Sequence, residues 1–268
     1  MRWLAHWGLN EPPFTKEIGD AHLWVPSSRE PIVEQIVEAC TERGHALLTG
    51  EPGVGKTCVL RALRQRLPEA GFRLTYCHNA TLGRRDFYRH VCLSLGLETH
   101  ATAAAVFYTI ASHVQQLGKD KVHPVFLIDE AHLLHQDVLE HLHILTNYEW
   151  DSRALLSLIL VGLPETRARL QLGKNRSLWS RIHTRTELSE GGPPDTAEYL
   201  QHRLRCAGAT REIFTSDAIA LLHEASDGRL RDVDRIATAA LKAGAKRKLR
   251  QIDRGVIASV ASEEGAID

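Results

Sequence analysis

Cysteine is scarce in this chain of 268 residues, and it is poorly spaced for chemistry. The five, Cys40, Cys58, Cys77, Cys92 and Cys206, are odd in number and never closer than fifteen residues. That excludes a CxxC redox pair and a zinc knuckle, and leaves buried, reduced thiols. Aromatic residues amount to only 6%, too few for a base-stacking platform. Neither charge sign dominates: 33 Lys and Arg balance 33 Asp and Glu, so attraction to a polyanion needs a local patch. Long apolar runs are also missing. The longest, residues 155–163, covers nine positions, against roughly 20 for a membrane helix. The start, Met1-Arg2-Trp3-Leu4-Ala5-His6-Trp7, has no signal-peptide core. No membrane association is expected, and the reading is cytoplasmic.

What remains is ordinary globular composition, 43% hydrophobic and 25% charged, in a length that suits one large or two small domains. Residues 1–28, punctuated by Pro12, Pro13 and Pro26, read as an irregular lead-in. Apolar residues at helical spacing predict a helix over 30–43. The run 45–49 then reads as a buried strand ending in a glycine-rich turn, and 56–67 as a helix stopped by Pro68. Alternation continues with strands over 72–78, 125–128 and 155–161, a short fifth over 185–188, and helices over 84–95, 103–117 and 136–148. Such alternation predicts an α/β fold with a doubly wound, mostly parallel sheet. After Gly191-Gly192-Pro193-Pro194 only helical stretches follow, over 195–206, 216–225, 231–243 and 253–262, with Ser216 and Asp253 as expected N-caps. The expected domains are the lead-in 1–28, an α/β core over 29–192 and a small helical lid over 193–268.

The strongest local signal is Gly50-Glu51-Pro52-Gly53-Val54-Gly55-Lys56-Thr57. It matches G-x-x-x-x-G-K-[ST] in full, with a strand before it and a helix after it. Glycines let the backbone wrap phosphates with inward N–H groups, and the helix N-terminus adds partial positive charge. Lys56 is expected on the β- and γ-phosphates and Thr57 on Mg²⁺, with Cys58 completing the phosphate-binding stretch. Two carboxylates, Asp129 and Glu130, follow the apolar stretch Val125-Phe126-Leu127-Ile128, where strand ends face the ligand crevice. Asp129 is expected to hold the metal and Glu130 to polarise the attacking water. The competing reading is an acidic helix cap.

The string Asp129-Glu130-Ala131-His132 also occurs in a class of helicases, but 268 residues leave no room for two motor domains. His132, His135, His141 and His143 match no zinc pattern and read as core or solvated histidines. Three arginines are candidates to complete the site. Arg181 precedes the fifth strand, where a finger borrowed by a neighbouring subunit belongs; Arg176 is its rival; Arg231, after Gly228, begins a lid helix. For each the bland alternative is a surface ion pair.

Taken together, these residues resemble the AAA+ P-loop ATPases. More narrowly, the chain is similar to the ExeA-type family and its transposon-encoded relatives, the TniB/TnsC-type transposition ATPases. The resemblance runs from Trp7-Gly8-Leu9, Pro13-Phe14 and residues 23–29 through the Gly50 loop and Leu127-Ile128-Asp129-Glu130-Ala131-His132-Leu133-Leu134. It continues with residues 145–152, Gly162-Leu163-Pro164-Glu165, Ser180-Arg181-Ile182, residues 198–204 and Gly228-Arg229-Leu230-Arg231. It implies ATP and Mg²⁺ as ligands, Arg181 as arginine finger, Arg231 as sensor 2, and a homo-oligomeric ring or filament. It implies a regulator of transposition that assembles on double-stranded DNA and recruits a transposase. The alternatives are a secretion or envelope-assembly ATPase and a non-catalytic ATP switch. Leu163 departs from the polar sensor 1 residue usual in the family, which leaves that role open and implies slow, partner-stimulated hydrolysis. Secretion-type members carry a membrane segment and a cell-wall-binding domain after the ATPase; residues up to Asp268 include neither, which favours the transposon branch.

For DNA two surfaces compete. Residues 229–254 hold nine Lys or Arg against three Asp, with Lys242, Lys246, Arg247, Lys248 and Arg250 within nine residues. The other is Arg84 and Arg85 with Lys119 and Lys121, as loops lining a ring's pore.

Overall fold

The computed structural model describes residues 2–15, 19–78, 81–99, 102–146 and 154–263. In chain order its helices are α1 (Arg2–Trp7), α2 (Glu30–Thr41), α3 (Lys56–Arg66), α4 (Arg84–Ser94), α5 (Ala103–Lys119) and α6 (Gln136–Leu145). Then come α7 (Glu165–Gln171), α8 (Arg176–Trp179), α9 (Pro193–Cys206), α10 (Ser216–Ser226), α11 (Leu230–Lys246) and α12 (Arg254–Glu263). The chain divides into two compact units, one of Pro31–Glu51 and Ala62–Leu188, the other of Met1–Glu30, Pro52–Arg61 and Ser189–Asp268.

The first unit is an α/β body around five parallel strands: β1 (His45–Gly50), β2 (Phe72–Cys77), β3 (His123–Ile128), β4 (Ser157–Gly162) and β5 (Ile182–Leu188). Their order is β2-β3-β4-β1-β5. The three inner strands β1, β3 and β4 are buried at every position, as a parallel sheet covered on both faces requires. The edge strands β2 and β5 alternate buried and open positions instead. In β5 the polar residues His183, Arg185 and Glu187 hide the strand from an apolar-run reading, so it begins three residues earlier than 185. Phe87, Val91, Ile110, Val114, Phe126, Leu139 and Leu158 pack into one core in this unit. Residues 147 and 148, where helix 136–148 was expected to end, and the segment 147–152 of the resemblance lie outside the described residues.

The second unit is helical. Residues 2–7, read from sequence as part of an irregular lead-in, form α1. Its Trp7 is buried to 2% exposure, and the indole N–H donates to the Leu241 carbonyl of α11 at 2.9 Å. Gly244 makes this possible: a Cβ there would stand 2.9 Å from the Trp7 ring. Burying an indole of 150–250 Å² is worth at most roughly 4–6 kcal/mol, enough to hold the segment on α11. The N-cap of α10 is Thr215 rather than Ser216: its hydroxyl accepts from Ala218 N at 3.2 Å. Asp253 does cap α12, accepting from Val256 N at 3.0 Å. Among the described residues no helix is long and apolar enough to cross a membrane.

At the start of β1, His45 is buried and its Nδ1 accepts from Leu158 N at 3.1 Å, so the ring is neutral. Burial, then the nearby Arg181 and His183, push its pKa down to about 4. The unfolded chain takes up that proton near 6.5, so the stability held by neutral His45 is complete above 6.5 and is lost as pH falls towards 4, by about 3 kcal/mol at most. Melting temperatures measured from pH 7.5 to 4.5 are expected to fall less steeply in His45→Asn, whose amide oxygen keeps an acceptor for Leu158. Equal slopes would contradict this assignment.

Candidate functional site

β1 delivers the chain to the glycine-rich loop. Glu51 and Pro52 are exposed, and Gly53 and Gly55 have φ of +87° and +98°, which side-chain-bearing residues rarely adopt. A Cβ at Gly53 would stand 3.2 Å from Arg231 Cβ; one at Gly55 would collide with the Arg29 guanidinium and stand 3.3 Å from Leu230 Cδ1. Between them Val54 is fully buried. The loop ends directly in α3, whose first residues are Lys56 and Thr57, and Cys58 N donates to Gly55 O at 3.0 Å. A helix N-terminus that follows two left-handed glycines presents successive N–H groups to an anion. Burial raises the Cys58 thiol pKa, against the pull of Arg29 and Arg61, and keeps it neutral.

Arg29 is one residue that sequence reasoning missed. Only 4% exposed, it donates to the carbonyl of Val54 and to that of Ser189, the latter at 3.3 Å. Burial lowers its pKa, while Cys58 and Asp195 favour its charged form. Its position within the resembling stretch 23–29 was the only available signal. Arg231 reaches the loop from the first turn of α11, after a turn in which Asp227 and Gly228 have φ of +49° and +67°. A Cβ at Gly228 would collide with the Gly191 carbonyl, whereas the Gly228 carbonyl accepts from Gly191 N at 3.3 Å. The Arg231 side chain is exposed beside Gly53.

In the α/β unit, Gly50, Gly162 and Ile128 end three neighbouring strands at one edge of the sheet. The ends of β1 and β3 therefore lie two strand spacings apart, roughly 10 Å, with Leu163 following the strand between them. Asp129 is held by three bonds. Its N–H donates to Cys77 O at 3.1 Å, its Oδ2 accepts from the Tyr76 hydroxyl at 2.8 Å, and its Oδ1 accepts from Glu130 N at 2.8 Å. Burial, then the bond to Asp129, raises the Tyr76 pKa. Glu130 sits in the left-handed region at φ +53°, and its carboxylate is half exposed, 3.4 Å from His132 Nδ1. Arg169 of α7 pins the following turn, donating to the carbonyls of His132 and of Leu134, the latter at 2.7 Å. At Gly162 a Cβ would collide with Thr166 Oγ1 and stand 3.1 Å from His132 N. His135 bonds the Thr81 carbonyl at 2.9 Å and His141 bonds the Tyr88 hydroxyl at 3.0 Å. Among the described residues no group of three or more His, Cys, Asp or Glu is placed to hold a metal.

Arg181 does not join the carboxylates. It directly precedes Ile182, which pairs with His45 at the start of β1, whereas the carboxylates follow the opposite ends of the strands. Six residues of β1 separate the two edges, roughly 17 Å. Arg181 Nη1 donates to Ser177 O at 2.9 Å; Arg176 lies exposed on α8. Lys242, Lys246, Arg247, Lys248 and Arg250 are all exposed at or just after the end of α11. The rival basic set breaks up: Arg84 and Arg85 follow β2, while Lys119 and Lys121 precede β3, and these parallel strands put the two pairs at opposite edges.

Residues 39–170 match the family profile described as AAA domain. That match spans 132 of the chain's 268 residues and is a likeness to that family. The chain's five-stranded parallel sheet with flanking helices is the AAA+ P-loop ATPase fold. General secretion pathway protein A of Aeromonas hydrophila is 33% identical over 268 residues, 99% of this chain and 49% of that protein. The chain thus spans about half the length of this curated relative. The Aeropyrum pernix ORC2 protein, solved as ADPNP–ADP complexes, superposes with a TM-score of 0.72 at 14% identity, over 95% of this chain and 72% of that one. The Aeropyrum pernix ORC1 protein, solved in complex with DNA, superposes at 0.67 and 18% identity, over 98% of this chain and 69% of that one. At these identities the likeness concerns the fold.

Two substitutions test the loop. Gly55→Ala meets both the positive φ and the Arg29 guanidinium, so affinity for a fluorescent ATP analogue is expected to fall at least ~10-fold. Arg29→Gln leaves buried carbonyls short of a donor and is expected to lower unfolding free energy by about 1–3 kcal/mol in a urea titration. Wild-type values for both would contradict the described packing.

Proposed function

We propose that the protein binds and hydrolyses ATP. The observation that carries this reading is the loop: two left-handed glycines open on the N-terminus of α3, with Arg231 exposed alongside Gly53. The cradle is shaped by absent Cβ atoms, as backbone wrapping of a phosphate chain demands, and its donors are cationic or N–H groups suited to a triphosphate. In this reading Gly50, Glu51, Pro52, Gly53, Val54, Gly55, Lys56, Thr57 and Cys58 line the phosphates, and Arg231 neutralises their outer charge. Thr57 and Asp129 offer hard oxygen ligands that fit Mg²⁺, which when bound neutralises phosphate charge. Lys56 stabilises charge on the transferred group, and Glu130 accepts a proton from the attacking water. With Leu163 apolar, no side chain at that position helps hold the water, which is the basis for expecting slow turnover stimulated by partners.

Because Arg181 stands at the far edge of its own sheet, it serves as a finger only towards another copy of the chain, which supports a ring or filament with nucleotide between subunits. In the finer reading the oligomer assembles on double-stranded DNA through the exposed cluster Lys242–Arg250 and recruits a transposase. Its support is the residue-level resemblance, that cluster, and a fold shared with a protein solved in complex with DNA. A second reading, an assembly ATPase of the secretion type, is favoured by the 33% identity to general secretion pathway protein A.

Glu130→Gln is expected to bind ATP normally but to release phosphate at least ~100-fold more slowly in a coupled assay; undiminished release would remove the catalytic assignment. Replacing Lys246, Arg247 and Lys248 with alanine is expected to weaken duplex binding and to reduce the slope of log affinity against log salt by about three. An unchanged slope would leave the secretion reading ahead.

A further inference from the structure

We propose that Tyr76 is a positioning residue for the magnesium ion of bound nucleotide, acting through Asp129; this rests on the reading of Asp129 as a metal ligand. Tyr76 lies on β2 opposite Leu127 of β3, two positions before Asp129. Its ring is 49% exposed, so core packing is not what the side chain supplies. The hydroxyl is nonetheless committed, donating to Asp129 Oδ2 at 2.8 Å, while Glu130 N donates to Oδ1 at 2.8 Å. The ring stacks on His78, with centroids 6.0 Å apart and planes at 23°, which fixes the direction from which the hydroxyl reaches the carboxylate.

The chemistry follows from the lone pairs. A carboxylate has about four acceptor sites. Two are taken, one on each oxygen, by the Tyr76 hydroxyl and the Glu130 N–H. The carboxylate plane is thereby set, and the remaining lone pairs point in defined directions. A bond from a hydroxyl to an ionised carboxylate is of the strong, charge-assisted kind. Outer partners of this sort orient a metal ligand, and losing one commonly costs 10–100-fold in metal affinity. With phenylalanine at 76 the Asp129 side chain keeps only the local Glu130 N–H and is free to rotate away from the productive orientation. The ring and its stacking on His78 survive the change, so a purely structural role for Tyr76 would leave the metal requirement unmoved.

The test is a Mg²⁺ titration of fluorescent ATP-analogue binding to the full chain, with wild type, Tyr76→Phe and Asp129→Asn compared, and each also measured in EDTA. Tyr76→Phe is expected to need about 10-fold more Mg²⁺ for half-maximal enhancement of binding, with EDTA affinity and melting temperature unchanged. Asp129→Asn is expected to lose the enhancement. If Tyr76→Phe overlays wild type while Asp129→Asn loses the enhancement, the role of Tyr76 is overturned and that of Asp129 stands. If Asp129→Asn keeps the wild-type Mg²⁺ dependence, the metal reading of Asp129 fails and the Tyr76 proposal falls with it.

Discussion

The missing Cβ of Gly55 is the constraint on which the nucleotide reading depends. It leaves room for the Arg29 guanidinium and for Leu230 against the backbone of the loop, and Arg29 in turn satisfies the carbonyl of buried Val54. A buried arginine costs several kcal/mol of desolvation unless its donors are used. Here they are used on the carbonyls of Val54 and Ser189, so the charge that shapes the loop also ties it to the start of the segment Ser189–Asp268. The tight Gly191–Gly228 approach then brings the first turn of α11, with Arg231, to Gly53. Loop conformation, the Asp227–Gly228 turn and the exposed cation are one linked arrangement within the helical unit.

Within the α/β unit the two carboxylates are arranged by a different device. Parallel pairing carries the ends of β1, β4 and β3 to one edge, and the pleat decides which residues emerge there. Asp129 is locked by neighbours on both sides, whereas Glu130 is turned outwards by a left-handed backbone and keeps a half-exposed carboxylate. Arg169, bonding the carbonyls behind them, holds the turn that aims both. A fixed carboxylate beside a freer one suits the proposed division between holding a metal and accepting a proton. Arg181, carried to the opposite edge, takes no part in that arrangement within one chain, which is why the proposed oligomer matters to the chemistry.

Much of this was legible in the sequence because a few signals are strong. The unbroken apolar runs of β1, β3 and β4 mark buried parallel strands, and strand–helix alternation gives the architecture. What was not legible has physical causes. The first three of the seven residues of β5 are not legible because an edge strand buries only alternate residues. Helix α1 was lost because six residues are too few to show a period, although Trp7 anchors it to α11. Short helices α7 and α8 went unread for the same reason, and Arg169 with them. Arg29 and Tyr76 look in sequence like any surface arginine and any strand tyrosine; only tertiary packing shows that one is buried on the loop and the other bonded to Asp129. The basic residues around β2 and β3 looked like one set until the strand direction separated them.

The most direct test of the central claim is hydrogen exchange of the backbone amides of residues 52–58 and 229–232, followed by mass spectrometry with and without saturating ATP and Mg²⁺. If the loop and the first turn of α11 grip a triphosphate together, both segments become protected on adding nucleotide, and the remainder of α11 changes little. Exchange rates in both segments that stay the same with nucleotide present would contradict the account.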